Sequence, residues 1–202
     1  MGASAFAQWL DTAFAGFDTA LLGAVHTVQQ SAADVVLGPL ARLLDFLGQG
    51  GIVLILLGLG LLAVRRWRRF GAAVLLALAL GALCTNVLFK PLVARERPYA
   101  DPESQLAQWW EEAGGETESD KSFPSGHATA TAAAMAALFF LGPRRRLWPC
   151  WLVVLAMALS RLYLMVHYPT DVLAGVLIGA AAGWTAAAVV RRLGRRVQTA
   201  NE

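Results

Sequence analysis

The nineteen consecutive residues 71–89 carry no charge, and an uncharged run of that length fits the ~30 Å hydrocarbon core of a bilayer. Similar apolar runs recur at 51–64, 128–141, 147–166 and 171–190. Inside lipid every backbone N–H and C=O must be satisfied within its own segment, so such runs become helices. The expected fold is all-α: an integral membrane helical bundle of five transmembrane helices. With 57% hydrophobic and 15% charged residues over 202 positions, an ordinary soluble domain is excluded. That length has room for one domain. Residues 1–47 read as amphipathic N-terminal helices, 48–192 as the transmembrane bundle and 193–202 as a cytoplasmic tail.

The charges are segregated. Eleven of the seventeen Lys and Arg lie at 65–69, 144–146 and 191–196, and loops with the basic excess stay in the cytoplasm. The opposite ends of the helices then face the periplasm or exterior of a plasma (bacterial inner) membrane. The first basic residue is Arg42, so no basic region marks a signal peptide. Phe6, Leu10, Phe17 and Leu21 recur at helical spacing among Gln8, Asp11, Asp18 and Thr19, a pattern for helices in the membrane interface. Gln29-Gln30-Ser31, Asp34, Pro39 and Arg42 break residues 21–46, which read as two short helices lying along or dipping into the bilayer. His26 is placed there as a surface or packing residue.

Between the second and third spans, seven of the fourteen acidic residues fall within 101–120 and read as a solvated face. Asp101-Pro102-Glu103 marks a helix start and Gly114 its stop. Leu106, Trp109, Trp110 and Ala113 share a face suited to an interfacial anchor. Cys84 and Cys150 belong near opposite membrane faces, so no disulfide joins them.

Three polar clusters interrupt the apolar background: Lys90 with Arg97-Pro98, Pro124-Ser125-Gly126-His127, and Ser160-Arg161 with His167 and Asp171. Ser125 and Gly126 open a helix whose first N–H groups are unpaired and receptive to an anion. His127 beside them changes charge near neutral pH. Arg161 within an apolar run is costly unless it faces a polar cavity. The topology gathers Lys90, Arg97, His127, Arg161 and His167 at one end of the bundle. Three cations beside a helix N-terminus suit a phosphate, which Arg grips as a fork and Lys as a point charge. Asp171, four residues after His167, is spaced to accept an imidazole N–H, as the orienting acid of a triad does. These residues alone do not say which histidine attacks and which protonates. Three histidines in the whole chain make a poor metal site, and no metal or other cofactor is expected.

Lys-x6-Arg-Pro, Pro-Ser-Gly-His and Ser-Arg-x5-His-x3-Asp resemble the three signature motifs of the type 2 phosphatidic acid phosphatase superfamily. All three are complete and in order between Lys90 and Asp171. The resemblance implies that His167 forms a phosphohistidine, Asp171 orients it, and His127 protonates the leaving group and later helps water attack. It implies that Lys90, Arg97, Ser125, Gly126 and Arg161 hold the phosphate without a metal. The expected partners are a lipid phosphate substrate and membrane lipids, with no nucleic acid. Undecaprenyl pyrophosphate, phosphatidylglycerol phosphate, phosphatidate and lipid A phosphate are all substrates of this superfamily, and a tail groove of Ala, Leu and Val does not rank them. A lipid phosphotransferase with a non-water acceptor shares the phosphoenzyme. A non-catalytic lipid-phosphate transporter has no need of His127, His167 and Asp171 together. Vanadate-binding halide oxidases use similar motifs but are soluble, which five spans argue against.

Overall fold

A computed structural model describes residues 4–199, with side chains as far as Gly194. The described residues form helices and no strands: α1 (Ala5–Ala13), α2 (Ala15–Gln29), α3 (Asp34–Gly48), α4 (Ile52–Ala63), α5 (Arg68–Ala82), α6 (Lys90–Val93), α7 (Gln105–Glu112), α8 (Gly126–Leu141), α9 (Arg144–Leu147), α10 (Cys150–Tyr163) and α11 (Pro169–Thr199). A π-helical segment, Leu83–Phe89, joins α5 to α6. The side chains of Arg195 and Arg196, assigned above to the basic tail, lie outside the described residues.

α8 is the hub. Its Ala132, Ala133, Ala134 and Ala137 are fully buried among Ala73, Val74 and Ala77 of α5, Val154 of α10 and Ala186 of α11. Against α11 the approach is closest, because Gly175, Gly179 and Gly183 fall on one helical face. A Cβ at Gly179 would lie 2.3 Å from the Thr129 carbonyl oxygen and one at Gly183 2.5 Å from that of Ala133. Small residues at four-residue intervals let helices in lipid gain packing contact where no hydrophobic driving force exists.

Three stretches are long and apolar enough to cross a membrane: Asp34–Ala63, Arg68–Val93 and Pro169–Gly194. α8, with 16 residues, and α10, with 14, are shorter; at 1.5 Å per residue each covers only about 21–24 Å. The first stretch holds two helices rather than one continuous span. α3 leads into α4 across a kink where Gly50 and Gly51 take φ of 58° and 67°, a left-handed conformation open to glycine. α3 lies across the end of the bundle, because Asp34 meets Tyr163 and Asp45 meets Arg161, two residues apart in the last turn of α10, and the chain breaks at Gln30–Ser31, between α2 and α3. Beyond Lys90 the helix also runs on to Val93, with Pro91 tolerated at its first turn.

The ends of the bundle are distinct. Gly142 lies beside Phe70, and Gly194 beside Arg69, so the Arg-bearing loops share one end. The three polar clusters share the other. α1 and α2 pack there too: Ala7 and Leu10 meet Val93 and Phe123, while Phe6, Trp9 and Phe17 stay exposed. α7 starts at Ser104, whose hydroxyl accepts from the Ala107 N–H, three residues later than expected; Asp101 instead accepts from the Glu103 N–H in the preceding turn. Its tryptophans pack on protein. Trp109 stacks on His26 with 4.8 Å between ring centroids, and Trp110 on Tyr99 with 4.4 Å.

Candidate active site

Each motif is delivered by a helix terminus. Lys90 closes the π-helical segment, and Arg97 follows α6. Ser125 is the N-cap of α8, so Gly126 and His127 occupy its first turn. Arg161 sits in the last turn of α10, His167 in the connection to α11, and Asp171 in the first turn of α11. All eight expected site residues come together. Lys90, Arg97, Gly126, His127 and His167 line one cavity of about 490 Å³. Ser125 and Arg161 are buried outside that lining, Arg161 against Glu118, which does line the cavity.

His167 is almost wholly enclosed. One Arg97 Nη lies 3.4 Å from its Nε2 and donates at 2.7 Å to the Val166 carbonyl. On the other side of the ring, Nδ1 is 3.8 Å from Asp171 Oδ2, longer than a direct hydrogen bond. The Ser122 hydroxyl bridges that gap: it lies 3.3 Å from Nδ1 and donates to Asp171. Burial first, then the positive charges of Arg97, Arg161 and Lys90, hold the His167 imidazole well below its ordinary pKa. The ring is thus neutral at neutral pH.

Asp171 is held from behind. Arg95 donates to it at 2.6 Å, to Asp11 at 2.7 Å and to Asp18 at 3.0 Å, and lies over the Tyr168 ring. Asp18 also accepts from the Thr170 N–H at 3.0 Å. α1 and α2 thus reach the motif-bearing end of the bundle through two carboxylates. Burial disfavours a charged Arg95, but the three acids outweigh it and raise its pKa above the ordinary value.

The cationic groups carry carboxylates. Asp120 pairs with Lys90 and accepts from Arg97 at 2.6 Å. Burial pushes the Asp120 carboxyl up, yet the bonds from Lys90 and Arg97 prevail and hold it below its usual range. Arg161 donates to Asp45 and, at 2.7 Å, to Glu118. The loop acids are therefore not all a solvated face, because Glu118 is part-buried on Arg161 and Asp120, half exposed, pairs with Lys90 and Arg97. Asp45, Glu118 and His127 offer ligand atoms within 4.8 Å of one another, but the Arg161 guanidinium already supplies the positive charge between the two acids. His127 Nε2 and Arg161 Nε have no hydrogen-bond partner.

Sequence reasoning missed Arg95, Ser122, Asp18, Asp45, Glu118 and Asp120. Arg95 and Ser122 lie inside or beside the motifs, and Asp45 interrupts the apolar end of α3. Those positions were the only available signals.

The sequence model of the PAP2 superfamily matches residues 70–195, which contain every motif residue and more than half of the chain. Decaprenylphosphoryl-5-phosphoribose phosphatase of Mycobacterium tuberculosis is 39% identical over 148 residues, 71% of this chain and 75% of that protein. Lipid A 4'-phosphatase of Bacteroides thetaiotaomicron is 32% identical over 130 residues, 63% of this chain and 56% of that one. The crystal structure of a transmembrane PAP2 type phosphatidylglycerolphosphate phosphatase from Bacillus subtilis shares the fold with a TM-score of 0.63 at 24% identity, covering 95% of this chain and 91% of the other. With the family match spanning the hub helix, both of its principal partners and all three motifs, the chain belongs to the PAP2 superfamily.

Proposed function

We propose that this chain is a membrane phosphatase that releases phosphate from a lipid phosphate through a phosphohistidine on His167. The observation that carries the reading is the pair of environments around that imidazole. Nδ1 faces Ser122 and Asp171, while Nε2 faces Arg97 at the wall of the cavity that also holds Lys90 and His127. A proton on Nδ1 leaves the Nε2 lone pair for phosphorus. As the N–P bond forms and the P–O ester bond breaks, His127 gives its proton to the departing lipid oxygen. His127 then takes a proton from water, the water oxygen attacks phosphorus, and the N–P bond breaks to release inorganic phosphate. Lys90, Arg97, Arg161, Ser125 and Gly126 hold the equatorial oxygens, and stabilising charge spread over them is most of what phosphoryl transfer asks of a protein. A phosphate entering this cradle displaces Asp45, Glu118 and Asp120 from the three cations.

The similarity to phosphatases of decaprenylphosphoryl-5-phosphoribose and lipid A supports a lipid substrate. α8 and α10 cross the membrane beside the three long spans, giving five crossings, with flanking residues extending both helices. The site faces the periplasm or exterior, opposite the Arg65–Arg69 and Arg144–Arg146 end. The cations replace a metal's charge. Purified protein given a lipid phosphate releases inorganic phosphate with excess chelator present; activity lost to chelator and restored by one divalent ion contradicts the metal-free mechanism. Single cysteines placed in α7 react with an impermeant thiol reagent in intact spheroplasts, whereas labelling only after lysis reverses the orientation.

A further inference from the structure

α1 and α2 carry two unlike faces. The inner one meets the bundle through Ala7, Leu10 and Leu22, all buried, and through Asp11 and Asp18, which pair with Arg95. The outer one carries Phe6, Trp9, Phe14, Phe17 and Leu21, with Trp9 51% and Phe17 47% exposed. Trp9 stacks on Phe6 and meets Phe14 edge-on, which makes an aromatic patch on the surface of the pair. These large side chains add little to its docking unless something covers them.

The patch adjoins two membrane-length stretches. The Ser4 N–H donates to the Val93 carbonyl at 3.2 Å, at the end of Arg68–Val93, where Leu88 and Leu92 are exposed. Ala7 and Leu10 share a cluster with Ala174, next to the exposed Leu173 at the start of Pro169–Gly194. Lipid-facing surface thus passes from the two stretches onto α1 and α2, at the level where aromatic side chains favour the membrane interface. No Lys or Arg precedes Arg42, so the patch suits an apolar surface rather than an anionic one.

The inner face reaches the acid behind His167. Asp18, 2% exposed, accepts from the Thr170 N–H at 3.0 Å, the Thr170 hydroxyl at 2.8 Å and Arg95 at 3.0 Å. Thr170 stands in the first turn of α11, where no helical carbonyl is in reach of its N–H, so Asp18 caps the helix that carries Asp171. The backbone of α11 is pinned independently: the Ser125 N–H donates to the Asp171 carbonyl at 3.1 Å, and Gly175 lies against α8. What α2 adds is the setting of the Asp171 side chain, through Arg95, which donates to both Thr170 and Asp171. We infer that the outer face of α1 and α2 is seated in the lipid interface of the bilayer, and that this contact holds Asp18 in place as a positioning residue for Asp171. The effect on turnover rests on the phosphatase reading; the seating and the cap do not.

The test uses the full chain, one copy per nanodisc of phosphatidylcholine. Trp9→Gln with Phe17→Gln speeds hydrogen exchange at the Thr170 amide about tenfold, the worth of one hydrogen bond to a charged group. Trp9→Leu with Phe17→Leu stays apolar and keeps the wild-type rate. Asp18→Ala speeds exchange with the outer face untouched. On p-nitrophenyl phosphate, a water-soluble probe, the Gln variant and Asp18→Ala each lower kcat several-fold and leave KM within about twofold. Combining them adds no further loss, because both act through one contact. Where the double Gln variant does not fold, Phe17→Gln alone is read in the same way. Unchanged exchange in the Gln variant assigns the face to a protein partner or a second copy and overturns the inference. Faster exchange in the Leu variant as well makes the rings a matter of packing and overturns it too. Losses in kcat that add overturn the role of Asp18. The exchange measurement needs no substrate, so a wild type that releases no phosphate overturns the phosphatase reading alone.

Discussion

Arg95 donates to Asp171 at 2.6 Å, and the two side chains are 1% and 0% exposed. The Arg95 guanidinium also holds Asp11 and Asp18, so the acid behind His167 is fixed by both N-terminal helices. Removing one partner of a buried pair strands the other charge, at a cost of about 3–5 kcal/mol. Arg95→Met is expected to lower Tm and to reduce kcat at least tenfold. A role in positioning is separated from one in folding by the pH profile. Without Arg95 the Asp171 carboxylate, 3.8 Å from the His167 ring, is left unpaired and favours the imidazolium, so the His167 pKa rises and the acidic limb moves to higher pH. Arg95→Lys keeps the charge and holds the limb nearer its original place.

The wild-type profile follows from the same environment. Burial and Arg97 hold the His167 pKa down, and the lone pair that the proposed mechanism uses exists only above that pKa. Activity is therefore retained as pH falls through the ordinary histidine value of about 6.5 and lost only below it. An acidic limb of kcat/KM at or above that value contradicts the electrostatic account.

Gly48 limits the space around His127. A Cβ there would lie 2.5 Å from His127 Cδ2 and 2.9 Å from the Met157 methyl. Gly48→Ala is expected to displace the imidazole and cut turnover of a lipid phosphate by about 10²-fold, the lower range for loss of general acid help. An activated aryl phosphate, whose leaving group needs no proton, loses much less. Steady-state rates on the two substrates give the ratio.

Asp120 occupies two of the cations a phosphate would use. Held below its usual pKa, it stays ionised throughout the working range. Asp120→Asn is expected to lower the inhibition constant for inorganic phosphate several-fold. A rise instead shows that Asp120 aligns Lys90 and Arg97 rather than competing for them.

The motif residues were legible because they interrupt or bound the apolar runs as polar exceptions, which are costly beside lipid without a purpose. The groups touching them were not. Glu118 and Asp120 read as loop acids whether they meet water or Arg161 and Lys90, since that choice depends on how the 113–122 segment folds over the bundle. Ser122 and Arg95 act on Asp171 from more than forty positions away, and neither has a periodicity to betray it. In the fold, the apolar runs located α4, α5, α8, α10 and α11. The placement of α3 across the bundle end was hidden, because the contacts of Asp34 with Tyr163 and Asp45 with Arg161 join residues more than a hundred positions apart.

The central claim is covalent, and trapping the phosphoenzyme tests it most directly. Wild-type protein mixed with a labelled lipid phosphate and quenched in alkali is predicted to retain acid-labile, alkali-stable label, mapped to His167. His127→Ala retains label formed from an activated aryl phosphate, because attack survives without the acid. His167→Ala retains none and turns over neither substrate. Label held by His167→Ala but absent from His127→Ala contradicts the account and exchanges the roles of the two histidines.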